Sequence, residues 1–247
     1  MGISPKTYYK YRGVKDSDYK VYKLIKHVFD INKKVYGYRR IGEGLLKTFG
    51  LVINHKKVAR IMNKYGVKPE YIKQIRPNYG HARIDENVAE NKINRVFTVD
   101  LPNKVWSTDI TYLIFGSQRA YLSTIIDLYD RKVVSSVISH RNDMAIVINT
   151  LNQALENRKN VYGLILHSDQ GYQYTSYAYK AICEANGITI SMSRKGNPVD
   201  NSPIESFHSI LKKETIYNND VTSLEQYIGI VKDWLRFYNH DRIRLSK

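Results

Sequence analysis

Between residues 105 and 138, three stretches rich in β-branched and aromatic residues follow one another with only short links. Val105 to Leu113 reads Val-Trp-Ser-Thr-Asp-Ile-Thr-Tyr-Leu. Tyr121–Leu128 and Lys132–Ile138 follow, separated by turns at Phe115–Gln118 and Tyr129–Arg131. Links this short allow only antiparallel neighbours, because a parallel return needs a crossover of a dozen or more residues. The pattern therefore predicts a three-stranded meander. Past it the period changes. Met144, Val147, Ile148, Leu151 and Leu155 recur at helical spacing from near Asn142. Leu164-Ile165-Leu166 reads as a buried strand running into His167-Ser168-Asp169. A helix is expected over 176–186, a strand at Ile188–Ile190, a loop over 194–201 and a helix from Pro203 to about Tyr217. A last helix, 223–239, has Thr222 three residues before Glu225, the spacing of a capping box. Antiparallel strands followed by helix–strand–helix–strand give an α/β order with a mixed central sheet, in which chemistry collects where strand ends converge.

The chain ahead of this block differs in charge. The 247 residues carry a net charge of +16, but residues 1–94 hold 21 Lys and Arg against 8 Asp and Glu, a net of +13. The remainder holds 18 against 15. A basic segment of this strength points to a polyanionic partner, DNA before an anionic membrane surface. Its apolar residues recur at three- and four-residue spacing: Val21, Tyr22, Leu24, Ile25, Val28 and Phe29, then Ile41, Leu45 and Leu46 before Gly50. The third set is Val58, Ile61, Met62 and Tyr65 after Asn54. Three short helices with tight turns suit a basic helical DNA-binding region over 1–65. Arg39, Arg40, Lys56, Lys57 and Arg60 are its candidate DNA contacts, and an ordinary three-helix bundle is the alternative. Residues 66–94, with Pro69, Pro77, Asn78 and Gly80, read as a linker. With 43% hydrophobic residues the chain is expected to be globular. Cys183 is the single cysteine, which excludes a disulfide framework and a cysteine-based zinc site. No apolar run approaches the ~18 residues of a membrane span. The start, Met-Gly-Ile-Ser-Pro-Lys, lacks a signal peptide's apolar core, so a cytoplasmic protein with no membrane partner is expected.

Asp109 falls in the first strand of the block, Asp169 just past the fourth and Glu205 at the start of a later helix. If the first and fourth strands are neighbours, two carboxylates meet at the sheet and the helix can bring a third. Clustered carboxylates need cations between them, and hard oxygen donors select Mg²⁺ or Mn²⁺. Two such ions about 4 Å apart activate an attacking oxygen and stabilise a leaving one. Glu205 also has a structural reading, with Ser202 as N-cap, Pro203 at N1 and Glu205 at N3 of a capping box. Its neighbours favour chemistry. Lys212 lies seven residues on, nearly two turns, and so shares its helix face, while Arg194, Lys195, Asn197 and Asn201 precede it.

These residues carry a resemblance. Trp106-Ser-Thr-Asp109-Ile-Thr, Tyr121-Leu-Ser-Thr-Ile-Ile-Asp127 and His167-Ser-Asp169-Gln-Gly-Tyr-Gln-Tyr-Thr occur in order, followed by Ser191-Met-Ser-Arg194-Lys195-Gly-Asn-Pro-Val-Asp200-Asn201-Ser-Pro-Ile-Glu205 and Lys212. The combination resembles the catalytic frame of transposases of the insertion sequence three family, relatives of retroviral integrases. Tyr36-Gly-Tyr-Arg39-Arg40-Ile41 and Asn54-His-Lys56 are similar to that family's basic helical region, and Tyr238-Asn239 with Arg242 to its terminal pattern. The resemblance implies an RNase H-like core over 95–217, a mixed five-stranded sheet flanked by helices, with 218–247 a shortened C-terminal helix. It implies Asp109, Asp169 and Glu205 as catalytic acids and ligands of two Mg²⁺ or Mn²⁺ ions. It further implies Lys212 at DNA phosphate, with Arg194, Lys195 and Asn201 as weaker DNA contacts. The implied reaction is cleavage at the element's terminal inverted repeats followed by attack of the 3′-OH on target DNA. The implied partners are DNA, an upstream reading-frame product related to Ile3–Tyr9, and further copies of the chain. A non-catalytic DNA-binding regulator and an RNase H-type nuclease are the competing readings. His167 is read as structural rather than as a general base.

Overall fold

The computed structural model describes residues 16–69, 88–194, 197–216 and 219–243. The expected linker residues Pro77, Asn78 and Gly80, the segment Ile3–Tyr9 and Lys195 lie outside the described residues. The chain divides into two compact units, one of residues 1–71 with 242–247, the other of 72–241.

The first unit holds α1 (Ser17–Ile31), α2 (Tyr38–Phe49) and α3 (His55–Lys64). Asp16 caps α1 by accepting from the Asp18 amide, and Asn54 caps α3 by accepting from Lys56. Gly50 ends α2 in the left-handed region, φ 66°, its N–H reaching back to Leu45 and Leu46 carbonyls. Ile25, Val28, Phe29, Ile41, Leu45, Val58, Ile61 and Met62 form the core, as their spacing predicts. Leu46 does not join it and is 46% exposed. Tyr36, fully buried, accepts a hydrogen bond from the Ile243 amide at 2.8 Å, so the last described residue closes this core.

One backbone approach is close. A Cβ on Gly44 of α2 would sit 2.4 Å from Val28 Cγ1 of α1. Val28 is buried and β-branched, with little rotamer freedom to yield.

The second unit is an α/β sandwich. Its strands are β1 (Val105–Phe115), β2 (Gln118–Asp127), β3 (Val133–Ser139), β4 (Ile165–Ser168) and β5 (Thr189–Met192), in the order β3-β2-β1-β4-β5. The meander pairs antiparallel, as the short links require, and β1–β4 and β4–β5 pair parallel. α4 (Met144–Asn157) is the crossover from β3 to β4, and α6 (Tyr177–Ala185) connects β4 to β5. A single turn, α5 (Tyr172–Thr175), precedes α6 and has no sequence period to announce it. α7 (Ser202–Glu214) and α8 (Leu224–His240) complete the unit.

Alternation along the strands gives each face its own core. Trp106, Ile125, Val134 and Leu166 pack under Val147, Leu151, Tyr174 and Cys183 on one side. Leu113, Leu122 and Ile126 pack under Ile204, Phe207, Leu211, Trp234 and Tyr238 on the other. Asn239 ties α8 to the edge strand: its amide accepts from Val133 N–H at 2.9 Å and donates to Val133 C=O at 2.8 Å. The cap of α8 lies one residue later than expected. Ser223 accepts from Gln226, whose side chain accepts from Thr222.

The capping-box reading of Glu205 is corrected by this structure. α7 begins at Ser202 after a 3₁₀ turn (Pro198–Asn201), its N-cap is Asn201, and Glu205 is the fourth helical residue rather than the third. Among the described residues, no helix is long and apolar enough to cross a membrane.

Gly44→Ala should lower the stability of the helical unit by about 1–3 kcal/mol through overpacking. Urea denaturation followed by helical circular dichroism measures it, and Gly42→Ala, where a Cβ meets nothing within 4 Å, is the control.

Candidate active site

The parallel pairing of β1 and β4 sets the site. Val105, Trp106 and Ser107 pair with Ile165, Leu166 and His167. Asp109 and Asp169 lie two residues beyond the last of these pairs on each strand, so the register carries both carboxylates to the same level. Strand alternation puts Asp109 on the face of Val105 and Leu113, the face that α7 covers. Two residues earlier on that face, the buried Ser107 hydroxyl donates to Asn201 Oδ1 at 2.9 Å. This bond fastens the start of α7 to β1, and Glu205 follows one turn later.

The three acids act on one another electrostatically. Burial, and then the charge of Asp109, push the Asp169 carboxyl up to about 6, with Glu205 adding a smaller upward push. Glu205 is raised by loss of hydration and by Asp109. Working against this, the Gly171 amide donates to Asp169 Oδ1 at 2.9 Å. A Cβ on Gly171 would lie 3.0 Å from that oxygen and 3.2 Å from Gln173 Oε1, so the approach favours glycine. Asp109 Oδ1 accepts from its neighbour's amide, Ile110 N–H, at 2.8 Å. Beneath the sheet, Tyr174 is fully buried, and its phenol is held neutral by burial and by the charges of Asp109 and Asp169.

Lys212 stands two turns along α7 from Glu205. Burial lowers its pKa, while the Asp109 charge acts in the opposite sense. His208, between Glu205 and Lys212, is a site residue that the sequence reading passed over, although its spacing to both marks one helix face. Its Nδ1 lies 3.5 Å from Asp109 Oδ2.

The surrounding polar groups are structural. His167 Nε2 lies 3.0 Å from the Asp200 carbonyl, an acceptor, so the proton sits on Nε2. Nδ1 then accepts from the Ser191 hydroxyl, which itself accepts from Lys92 N–H. Burial lowers the His167 pKa and keeps the ring neutral. Both nitrogens are used, in line with a structural role. Asp200 accepts from Asn91, Arg95 and Arg194, and the Arg194 guanidinium holds it well below the usual carboxylate range. Arg194 is thus occupied by Asp200 and Asn201 by Ser107.

In the helical unit, Lys56, Lys57 and Arg39 are exposed, with Arg39 over the Tyr38 ring and Arg40 over the Tyr36 ring. Arg60 forks onto Asp18 through two 2.8 Å bonds.

Among the described residues, no three His, Cys, Asp or Glu side chains form a ready-made metal cage. The donor chemistry nevertheless fits a hard divalent ion. Mg²⁺ is commonly held by one or two carboxylates, with water and substrate phosphate completing the sphere, and Asp169 and Glu205, both raised by burial and by the charge of Asp109, are carboxylates that a cation would favour in the ionised form.

Because Asp169 binds its proton more tightly folded than unfolded, its ionisation costs stability as pH rises from about 4 through about 6. Asp169→Asn should therefore stabilise the chain by about 1–3 kcal/mol at pH 7.5 without divalent ions, and the gain should vanish below about pH 4. Thermal denaturation across that range in EDTA checks it.

Residues 100–198 match the integrase core domain family, residues 186–244 a second integrase core domain family, and residues 16–74 an HTH-like domain. The protein InsK for insertion sequence element IS150 of Escherichia coli is 36% identical over 92% of this chain and 79% of its own length. The transposase for insertion sequence element IS904 of Lactococcus lactis is 38% identical over 89% of this chain and 86% of its own. Among solved structures, a chain of the simian T-cell lymphotropic virus intasome, in complex with PP2A regulatory subunit B56 gamma, covers 87% of this chain and 70% of its own. It has a TM-score of 0.51 at 18% identity, a likeness of fold. With relatives of this identity matched over most of their length, the chain belongs to the insertion sequence three family of transposases and carries an integrase core behind an HTH-like region.

Proposed function

We propose that this transposase cleaves DNA at the ends of its insertion sequence and joins the freed 3′-OH to target DNA, with Asp109, Asp169 and Glu205 as its catalytic acids. The observation that supports this most directly is the shared electrostatics of the three. Asp169 is raised to about 6 by burial and by the other two acids, an arrangement that costs free energy unless a cation is bound. When bound, Mg²⁺ or Mn²⁺, two ions in this reading, lowers the pKa of the attacking hydroxyl and neutralises charge developing on the phosphate.

The residues of the chain do the positioning. Asp109 and Asp169, fixed on adjacent strands, present oxygens from one rigid edge, and α7, hooked to β1 through Asn201, brings Glu205 from above. Water attacks the scissile phosphorus and the P–O3′ bond breaks, so the 3′ oxygen leaves with a proton as a hydroxyl. That hydroxyl attacks a second phosphodiester and displaces another 3′ oxygen. Each step exchanges one P–O bond for another, so no nucleotide cofactor is required. Lys212, on the same helix face as Glu205, meets a phosphate adjacent to the scissile one in this reading. In the helical unit the exposed Lys56, Lys57 and Arg39, with Arg40, serve as the DNA-holding cations. Arg60 in this unit is already paired with Asp18, and Arg194 in the core with Asp200. Joining two element ends calls for more than one copy on DNA, and an upstream reading-frame product is the further partner in this reading.

The test incubates the chain with duplexes carrying the inverted repeats that flank its coding sequence, with Mn²⁺ or Mg²⁺, and with or without the upstream product. Asp109→Asn, Asp169→Asn and Glu205→Gln should each lower cleavage and strand transfer by about 10²–10³-fold while leaving DNA binding intact. Strand transfer that persists in Asp109→Asn overturns the assignment, and DNA binding without metal-dependent nicking in the unaltered chain favours the regulator. Lys212→Gln should weaken DNA binding and reduce the salt slope by about one unit, read by fluorescence anisotropy across a salt series.

A further inference from the structure

Among the described residues, His208 is the imidazole in contact with an acid of the site. Its side chain is 6% exposed, and the histidine sits on α7 between Ile204, Phe207 and Leu211, whose packing under the sheet fixes the helix. Nδ1 faces Asp109 Oδ2 across 3.5 Å. The other carboxylate oxygen, Oδ1, is already taken by the Ile110 amide. Nε2 is buried and has no hydrogen-bond partner among the described residues.

The tautomer follows from these contacts. A carboxylate only accepts, so the contact is attractive only when Nδ1 carries the proton. In the neutral ring Nε2 is then a bare acceptor, sealed from water and unmet. Phenylalanine at this position would fill the same space with no orphaned atom, so packing gives no reason for a histidine. What the imidazole adds is a ring nitrogen facing Asp109. At 3.5 Å this is a long, charge-assisted attraction that orients the carboxylate rather than a short hydrogen bond that saturates it. With Oδ1 tied to the strand backbone and Oδ2 facing the helix, the rotation of Asp109 about its Cβ–Cγ bond is defined from both sides.

We infer that His208 is a positioning residue for Asp109, holding its outer oxygen in the direction from which a divalent cation is bound. This rests on the metal-dependent reading above. Outer partners of metal-binding side chains commonly change metal affinity by about 10–100-fold when removed.

The test measures Mn²⁺ binding to the whole chain without DNA, by the electron paramagnetic resonance signal of the free ion, alongside thermal stability. His208→Phe should raise the Mn²⁺ Kd about 10-fold with its melting midpoint unchanged or higher. His208→Asn, whose amide nitrogen occupies the place of Nδ1, should stay close to the unaltered chain, and His208→Gln, which reaches the Nε2 position instead, should resemble His208→Phe. Equal Mn²⁺ binding in His208→Phe and the unaltered chain overturns the inference, as does His208→Asn binding as poorly as His208→Phe. If His208→Phe does not fold, the contrast of Asn with Gln decides. Asp109→Asn in parallel separates the levels. Mn²⁺ binding lost there but kept in His208→Phe removes the role of His208 alone, while binding unchanged in Asp109→Asn removes the metal reading itself.

Discussion

The parallel pairing of β1 with β4 is the constraint on which the rest of the second unit depends. It brings two strands separated by the whole β2–β3–α4 excursion into a register that sets Asp109 and Asp169 at one level. Like charges brought to one level oppose the fold that assembles them, so the scaffold must be stiff. Two separate apolar cores, one on each face of the sheet, supply the stiffness. The hydroxyl of Ser107 then carries the same register into the helix layer through Asn201. A slip of one residue between β1 and β4 would turn one carboxylate to the opposite face and break the site without removing a single side chain.

The carboxylates of this unit fall into two kinds. Asp200 accepts five hydrogen bonds from Asn91, Arg95 and Arg194 and is held far down its titration range. Asp127 accepts from two backbone amides and pins the turn after β2. Both are buried, with a donor on each carboxylate oxygen. Asp169 accepts one amide and is pushed up instead of down. Saturated acids build; under-satisfied acids beside other acids are available to a cation. Asp127 and Asp200 stand in the same series of motifs as Asp109 and Asp169, and their partners tell them apart.

How much of this the amino acids disclose depends on the range of the interaction. Helices α1 to α4 and the meander follow from apolar periods and short links, which are local. The caps at Asn54 and Gly50 are local too. The fork between Asp18 and Arg60 joins residues 42 apart, and nothing in the sequence around Arg60 separates it from Lys56 or Lys57, which stay exposed. Glu205 shows a conflict of scales. Ser-Pro-Ile-Glu has the composition of a capping box, but the 3₁₀ turn and the Asn201–Ser107 bond start the helix one residue earlier, so tertiary contact overrides the local signal. α5 has too few residues to show a period. His208 was legible in principle, at three and four residues from Glu205 and Lys212, yet a histidine on an apolar helix face is an ordinary core residue until its contact with Asp109 is known.

The bond from Ile243 to the Tyr36 hydroxyl spans 207 residues, yet both belong to the same small helical unit. On the ribosome, therefore, this unit begins to emerge before the core and is finished after it. Its three helices can form early from local sequence, but the Tyr36 hydroxyl must wait for nearly the whole core to be synthesised before its partner exists. The timing of protein synthesis is thereby written into the fold: the completed helical unit is itself a sign that translation has passed Asp109, Asp169 and Glu205.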